Sequence, residues 1–166
     1  MKTLKRMIVV ALGAMMMVGA AFSIYGAEKE KTHYTFTYGE KQYQLGMEAK
    51  TAMNSLGEAV SSRDVNNCAN GYVNKAYLYG DKDFEIYVEQ KDRKEIVTNI
   101  TLLTDKVATE EGLKPGDVET NVTKVYKDAK KGLGSYTAAL GDTKLYIKIK
   151  DKKVDYISYL IEETTK

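Results

Sequence analysis

The chain is short of the side chains that most often carry chemistry. It has one cysteine, Cys68, and one histidine, His33, among 166 residues. A single cysteine excludes an internal disulfide. A structural zinc site needs several Cys or His ligands. Nucleophilic catalysis needs a base beside the nucleophile, and a histidine base could only be His33, close to the N-terminal end. We therefore expect no metal site. We interpret Cys68 as a buried thiol; the alternatives are pairing with a second chain and metal binding.

Sequence motifs for catalysis are missing as well. The chain has no phosphate-binding glycine loop and no H-E-x-x-H pair. Most acidic residues fall on predicted helix faces or in turn sequences, where turn chemistry explains them: Asp81, Asp83, Asp92, Asp142 and Asp151. We therefore predict that the protein is not an enzyme, with no catalytic residue and no cofactor.

The N-terminus has the three-part pattern of a secretory signal peptide. Lys2, Lys5 and Arg6 precede an uncharged, mostly apolar run over residues 7–22, and small residues and a charged cluster follow. The run holds about 16 residues, whereas a membrane-spanning helix needs about 20. The alternative is an uncleaved N-terminal anchor. We predict a signal peptide over residues 1–27, with cleavage after Ala27 or, alternatively, after Ser23.

The predicted mature chain, residues 28–166, is close to neutral. The first 27 residues hold three of the 25 basic residues and none of the 23 acidic ones, which leaves 22 basic and 23 acidic residues. Nucleic-acid binders usually carry a basic excess, so we expect no nucleic-acid partner. No cysteine lies near residue 27 to carry a lipid. We therefore expect a secreted or cell-envelope protein that is not a lipoprotein and is not inserted in the membrane after cleavage.

Alternating and helical patterns divide the mature part into elements. Residues 34–38 and 41–45 alternate around Gly39-Glu40, which predicts a β-hairpin. Helical spacing of apolar residues predicts helices over 47–60 and 117–130. The polar segment 61–74 is interpreted as a loop. Alternation predicts the remaining strands over 76–79, 84–89, 95–103, 136–140, 145–150 and 154–161.

The same order of elements is predicted twice. A helix followed by three strands, with a Gly-Asp turn in each copy, spans about 33–105 and again about 106–162. Chance matching of short alternating strands is the other explanation. Each unit is too small to bury its sheet alone. We therefore predict a single exported α+β domain in which two tandem helix-plus-three-strand units form one antiparallel sheet with both helices on one face.

Two stretches of the chain resemble known exported families. The first stretch resembles the helix motif of the small outer-membrane lipoprotein (SmpA/OmlA) superfamily at Gly46, Met47, Met53, Leu56 and Gly57. It departs from that motif at position 52, which is Ala where the family prefers Val. The tandem arrangement is similar to the β-lactamase-inhibitor-protein-like fold. The stretch 109–116 resembles uncharacterised exported proteins of Firmicutes. The resemblance implies a fold and export, and it implies no ligand.

Tyrosine is the abundant aromatic residue. Twelve of the 13 tyrosines lie beyond residue 27, with three Phe and no Trp in the chain. Tyr87 alternates with Ile86 and Val88, and Tyr146 with Leu145 and Ile147, so both should face away from the core; Tyr156 is a third candidate. Tyrosine suits protein interfaces, although it is also a good strand former.

These patterns favour a binding module. We predict an exported, non-catalytic module that binds a protein or cell-envelope partner through the open sheet face, with Tyr87, Tyr146 and Tyr156 as interaction residues. One alternative is a secreted inhibitor of a hydrolase, for which the loop 61–74 would have to enter a cleft. A second alternative is an enzyme of unknown type.

The first testable prediction concerns export of the protein. The precursor should be cleaved between Ser23 and Glu28 and released without lipid. Intact-mass measurement of the secreted protein checks this expectation. A retained Met1 or an added acyl mass would contradict it.

Overall fold

A computed structural model describes residues 31–66 and 73–162. The predicted signal peptide and Cys68 lie outside these residues. The elements run in chain order as β1 (Phe36–Tyr38), β2 (Lys41–Tyr43), α1 (Ala49–Leu56), β3 (Ser61–Asn66), β4 (Val73–Tyr79), β5 (Phe84–Lys91), β6 (Lys94–Leu102), α2 (Thr120–Val125), β7 (Lys130–Gly132), β8 (Ser135–Leu140), β9 (Thr143–Lys150) and β10 (Lys153–Ile161).

Antiparallel strands dominate the fold. Over the described residues, β1 and β2 form a small hairpin sheet, and the other eight strands form one sheet in the order β3-β4-β5-β6-β10-β9-β8-β7. Every pairing in both sheets is antiparallel. The predicted antiparallel sheet and the N-terminal hairpin are thereby confirmed.

The predicted α+β class with two helix-plus-three-strand units is wrong. The protein is mostly β, and four strands follow each helix. The first additional strand is β3, which pairs with β4 along its whole length although it was interpreted as part of a loop. The second is β7, which pairs with β8 where a helix end was predicted. Both are polar strands at the sheet edges, so neither shows the apolar alternation that marks a half-buried strand.

Both helices begin later than predicted because the residues before them pair with the sheet. They also end earlier, at Leu56 and Val125. The Gly46 amide donates to the Val97 carbonyl at 2.7 Å, and the Val97 amide donates to the Met47 carbonyl at 2.9 Å. Before α2, the Gly116 amide donates to the Val154 carbonyl at 2.7 Å. Residues 46–48 and 116–118 therefore extend the sheet instead of starting helices.

The two halves have the same order of a helix followed by four strands, and they meet where β6 pairs with β10. The two-residue turns leading into these central strands are alike. Asp92 and Arg93 have φ of 50° and 64°, and Asp151 and Lys152 have φ of 51° and 60°. Two successive residues with positive φ give a type I′ turn, whose twist matches that of a hairpin.

One face of the sheet carries the core. Along β5 and β9 the buried residues alternate with half-buried ones, so that Phe84, Ile86, Leu145 and Ile147 are fully enclosed. Ala49 and Ala52 of α1 and Val122 of α2 belong to the same core cluster. The β1–β2 hairpin covers part of it, since the rings of Phe36 and Phe84 meet edge to face with centroids 4.9 Å apart.

A polar network ties the N-terminal hairpin to the segment before α2. The Lys31 ammonium lies 2.8 Å from Glu110 Oε2 and also pairs with Glu111. Thr35 and Gln42 donate to Glu110 Oε1, the latter at 3.1 Å. Although burial alone would raise the pKa of the Glu110 carboxyl, the hydrogen bonds from Lys31 and Thr35 hold it below its usual value.

Substitution of Gly141 tests how closely the N-terminal segment approaches the sheet. Gly39 and Gly141 both have a left-handed φ, of 62° and 59° respectively. A Cβ added at Gly141 would clash with the Thr32 carbonyl oxygen, whereas a Cβ added at Gly39 would contact no other atom. Both alanine variants carry the left-handed strain of about 1 kcal/mol. Gly141→Ala should lose about 1–3 kcal/mol more of the free energy of unfolding because of the clash. Urea unfolding of the two variants measures the difference, and equal losses would contradict this packing.

The Glu110 network should make stability depend on pH. Because the folded-state pKa of Glu110 is lowered, its contribution is present above the unfolded pKa of about 4.3 and is lost as pH falls through the folded value. The thermal midpoint of the wild type should therefore exceed that of Glu110→Gln at pH 6, and the gap should shrink between pH 4 and pH 2. If the difference in thermal midpoint does not change with pH, folding does not lower the pKa of Glu110.

Candidate binding face

The outer face of the large sheet is the side opposite the core cluster. Register places two rows of side chains across it. One row runs Tyr87–Asn99–Leu160–Lys144, and the other runs Glu85–Thr101–Ser158–Tyr146. The predicted orientation of Tyr87 and Tyr146, away from the core, agrees with the burial pattern of their strands.

Tyr156 reaches the same face because of a bulge. The register of β10 with β9 shifts between Val154, which is buried, and Tyr156. The bulge carries Tyr156 to the outer side, opposite Lys148. Sequence alternation alone left the orientation of Tyr156 open, because β10 is apolar on both faces.

Tyr146 and Tyr156 come together in the structure. Their ring centroids lie 6.1 Å apart with the ring planes tilted by 41°. Both side chains are half-buried. Burial raises the pKa of the Tyr156 phenol, with smaller contributions from Tyr146 and Asp155. This spacing is within the range of aromatic pairs that attract each other, so the two rings form one small platform.

Tyr87 lies apart from that pair. Two strands, β6 and β10, separate β5 from β9, which corresponds to about 14 Å at the usual strand spacing. The Tyr87 hydroxyl donates to Glu85 Oε2 at 2.9 Å and accepts from Arg63 Nη2 at 2.8 Å. Arg63 also pairs with Glu85 at 2.9 Å. Burial and then the neighbouring Glu85 raise the pKa of the Tyr87 phenol.

Small polar side chains fill the middle of the outer face. The hydroxyls of Thr101 and Ser158 are buried and lie 2.8 Å apart across the β6–β10 seam, and Thr101 also donates to Asn99 Oδ1 at 2.8 Å. These side chains satisfy one another. Thr101 and Ser158 lie between Glu85 and Tyr146 in their row, a feature the sequence reasoning missed.

The lysines of β9 are a second feature that the sequence reasoning missed. The outward positions of β9 are Lys144, Tyr146, Lys148 and Lys150, by alternation with its core-facing residues. Lys144 pairs with Glu162 at 3.0 Å. The signal was present in the sequence as an alternation of lysine and tyrosine with apolar residues, but the sequence analysis used only the tyrosine of the outward positions and not the lysines.

The described part of the chain brings together no three His, Cys, Asp or Glu side chains that could hold a metal ion. His33 lies 3.1 Å from Gln44 Oε1 and 3.1 Å from the Thr32 hydroxyl, at an exposed position. None of the helices in the described ranges is long and apolar enough to cross a membrane.

Comparison with known proteins assigns no family to this arrangement. A scan against protein-family models and searches of curated proteins and of solved structures found no match. The resemblance to the SmpA/OmlA superfamily and to the β-lactamase-inhibitor-protein-like fold therefore stays a prediction from the sequence.

Proposed function

We propose that this protein is an exported, non-catalytic binding module that contacts a protein or cell-envelope partner through the outer face of its sheet. The observation that supports this most is the Tyr146–Tyr156 pair. The two rings lie on the face of the sheet opposite the core, where a partner can reach them.

The three predicted interaction residues divide into two roles in this proposal. Tyr146 and Tyr156 have no hydrogen bond from their hydroxyls to another side chain of the described residues, so their polar ends are available to a partner. The Tyr87 hydroxyl is already engaged by Arg63 and Glu85. We therefore assign contact with the partner to Tyr146 and Tyr156, and a structural role to Tyr87.

A double substitution and a matched single substitution test this division. Threonine is a suitable replacement because it is also a good strand former. Tyr146→Thr with Tyr156→Thr should weaken partner capture about thirtyfold, as for loss of an interface hot spot, and should change the free energy of unfolding by about 0.5 kcal/mol or less per site. Tyr87→Thr should keep capture and lose about 1 kcal/mol of stability, since Arg63 and Glu85 lose a partner.

Capture is measured by passing culture supernatant and cell-envelope extract of the producing organism over the immobilised purified protein and its variants. Urea unfolding of the same preparations gives the stability. If the double variant folds and still captures every component held by the wild type, the tyrosine pair is not the contact site. Loss of capture by Tyr87→Thr alone would reverse the assigned roles.

A further inference from the structure

We propose that the surface formed by Lys144, Tyr146, Lys148 and Lys150 of β9 with Tyr156 and Lys153 of β10, called here the lysine–tyrosine strip, binds a carboxylated polysaccharide. This inference rests on the proposed function, because it names the partner class for the same face. It is carried by a difference in charge between two equivalent strands.

Strands β5 and β9 hold equivalent positions in the two halves. Each has eight residues, each is followed by a type I′ turn, and their burial patterns match over the first six positions. Tyr87 and Tyr146 are both the fourth residue of their strand. The Gly-Asp turns before the two strands differ in length by two residues, so an alignment on those turns sets Tyr146 opposite Glu85 instead of Tyr87.

The charges around the two tyrosines are opposite. The outward positions of β5 are Glu85, Tyr87, Glu89 and Lys91, whereas those of β9 carry lysine on both sides of the tyrosine and at the last position. The outward residues therefore carry a net charge of −1 on β5 and +3 on β9 at neutral pH. Glu85 is further neutralised by Arg63.

Half of the strip's four positive charges are not matched within the described part of the protein. Among the described residues, no ion pair engages Lys148, Lys150 or Lys153, while Lys144 pairs with Glu162. Asp155, at the bulge beside Tyr156, offsets one further charge. Lys150 also lies directly opposite Lys153, and like charges in that arrangement repel each other. An anionic partner would relieve this repulsion.

The shape of the strip suits a linear polymer. Outward neighbours along a strand are about 6.8 Å apart, so Lys144 to Lys150 spans about 20 Å. The strip is open along its length and presents amphipathic ring surfaces at Tyr146 and Tyr156 between the ammonium groups. Sugar rings have apolar faces and hydroxyl edges, and they can pack on these rings while their carboxylates meet the lysines.

Two other polymers fit less well. The centres of protein–protein interfaces are depleted in lysine, whereas lysines surround the tyrosines here. Nucleic-acid and phosphate sites favour arginine, whose planar fork matches phosphate, and no arginine occurs from residue 130 to the end of the chain. The lysine ammonium is a compact charge without the planar geometry that matches phosphate. It can pair with single carboxylates spaced along a polysaccharide.

Titration calorimetry of the purified protein tests the inference with four probes: polygalacturonate, neutral amylose, poly-L-glutamate and single-stranded DNA. Polygalacturonate should bind, and more weakly at 0.5 M salt because exposed charges are screened there. Amylose lacks the charge and polyglutamate lacks the sugar rings, so both should bind at least about tenfold more weakly. The DNA should bind more weakly than polygalacturonate.

Matched variants locate the site. Lys148→Gln with Lys150→Gln should weaken polygalacturonate binding about thirtyfold, since each lysine facing an anionic surface typically adds about a fivefold gain. Lys91→Gln with Lys94→Gln removes the same charge from the equivalent hairpin of the other half and should leave binding unchanged. Tyr146→Thr with Tyr156→Thr should also weaken binding, which a purely ionic attraction would not show.

Several results would overturn the inference. These are no binding of polygalacturonate, equal binding of polyglutamate, tighter binding of DNA, or equal loss in the two lysine variants. If any of these occurs while envelope capture still depends on Tyr146 and Tyr156, the binding face stands and the partner class is wrong. If capture is also independent of those tyrosines, the proposed function fails as well.

Discussion

The pairing of β6 with β10 is the contact on which the rest of the structure depends. It joins two four-stranded halves through four residue pairs, from Leu102–Ile157 to Asn99–Leu160. Tyr159 and Ile100 are opposite each other on the core side and almost fully buried, while Thr101 and Ser158 share a hydrogen bond on the outer side. Without this seam each half would expose a strand edge with unpaired amides and would have little core of its own.

The joining of two similar halves at this seam also explains how one sheet can present different surfaces around Tyr87 and Tyr146. Because the halves have the same order of elements, Tyr87 and Tyr146 occupy the same place in strands of the same length and phase. The core-facing residues of both strands are constrained by packing, whereas the outward residues are not. Glutamates and Arg63 surround one tyrosine and hold it in a closed network, while lysines surround the other and leave it available.

The parts of the fold that could be predicted are those with a local signal. Strict alternation gave the phase of β5 and β9, and with it the outward direction of Tyr87 and Tyr146. Gly39 between two alternating runs gave the hairpin. These signals come from neighbours in the chain, and local sequence is enough to determine them.

The parts that were missed depend on contacts between distant residues. β3 and β7 are polar strands whose pairing is visible only in the sheet. Met47 and Asp117 have helical spacing in sequence but pair with β6 and β10 instead. The bulge before Tyr156 shifts its phase by one residue, and the unequal Gly-Asp turns hid the equivalence of Tyr87 and Tyr146.

We propose that one half of the outer face is the working surface and that its equivalent in the other half is structural. Mapping backbone amide chemical shifts by NMR during a polygalacturonate titration tests this most directly, because every strand is observed at once. We expect the shift changes to concentrate on outward residues of β8, β9 and β10, with the largest at Tyr146, Lys148 and Tyr156. Shifts centred on Arg63, Glu85 and Tyr87, or on the N-terminal hairpin, would contradict it.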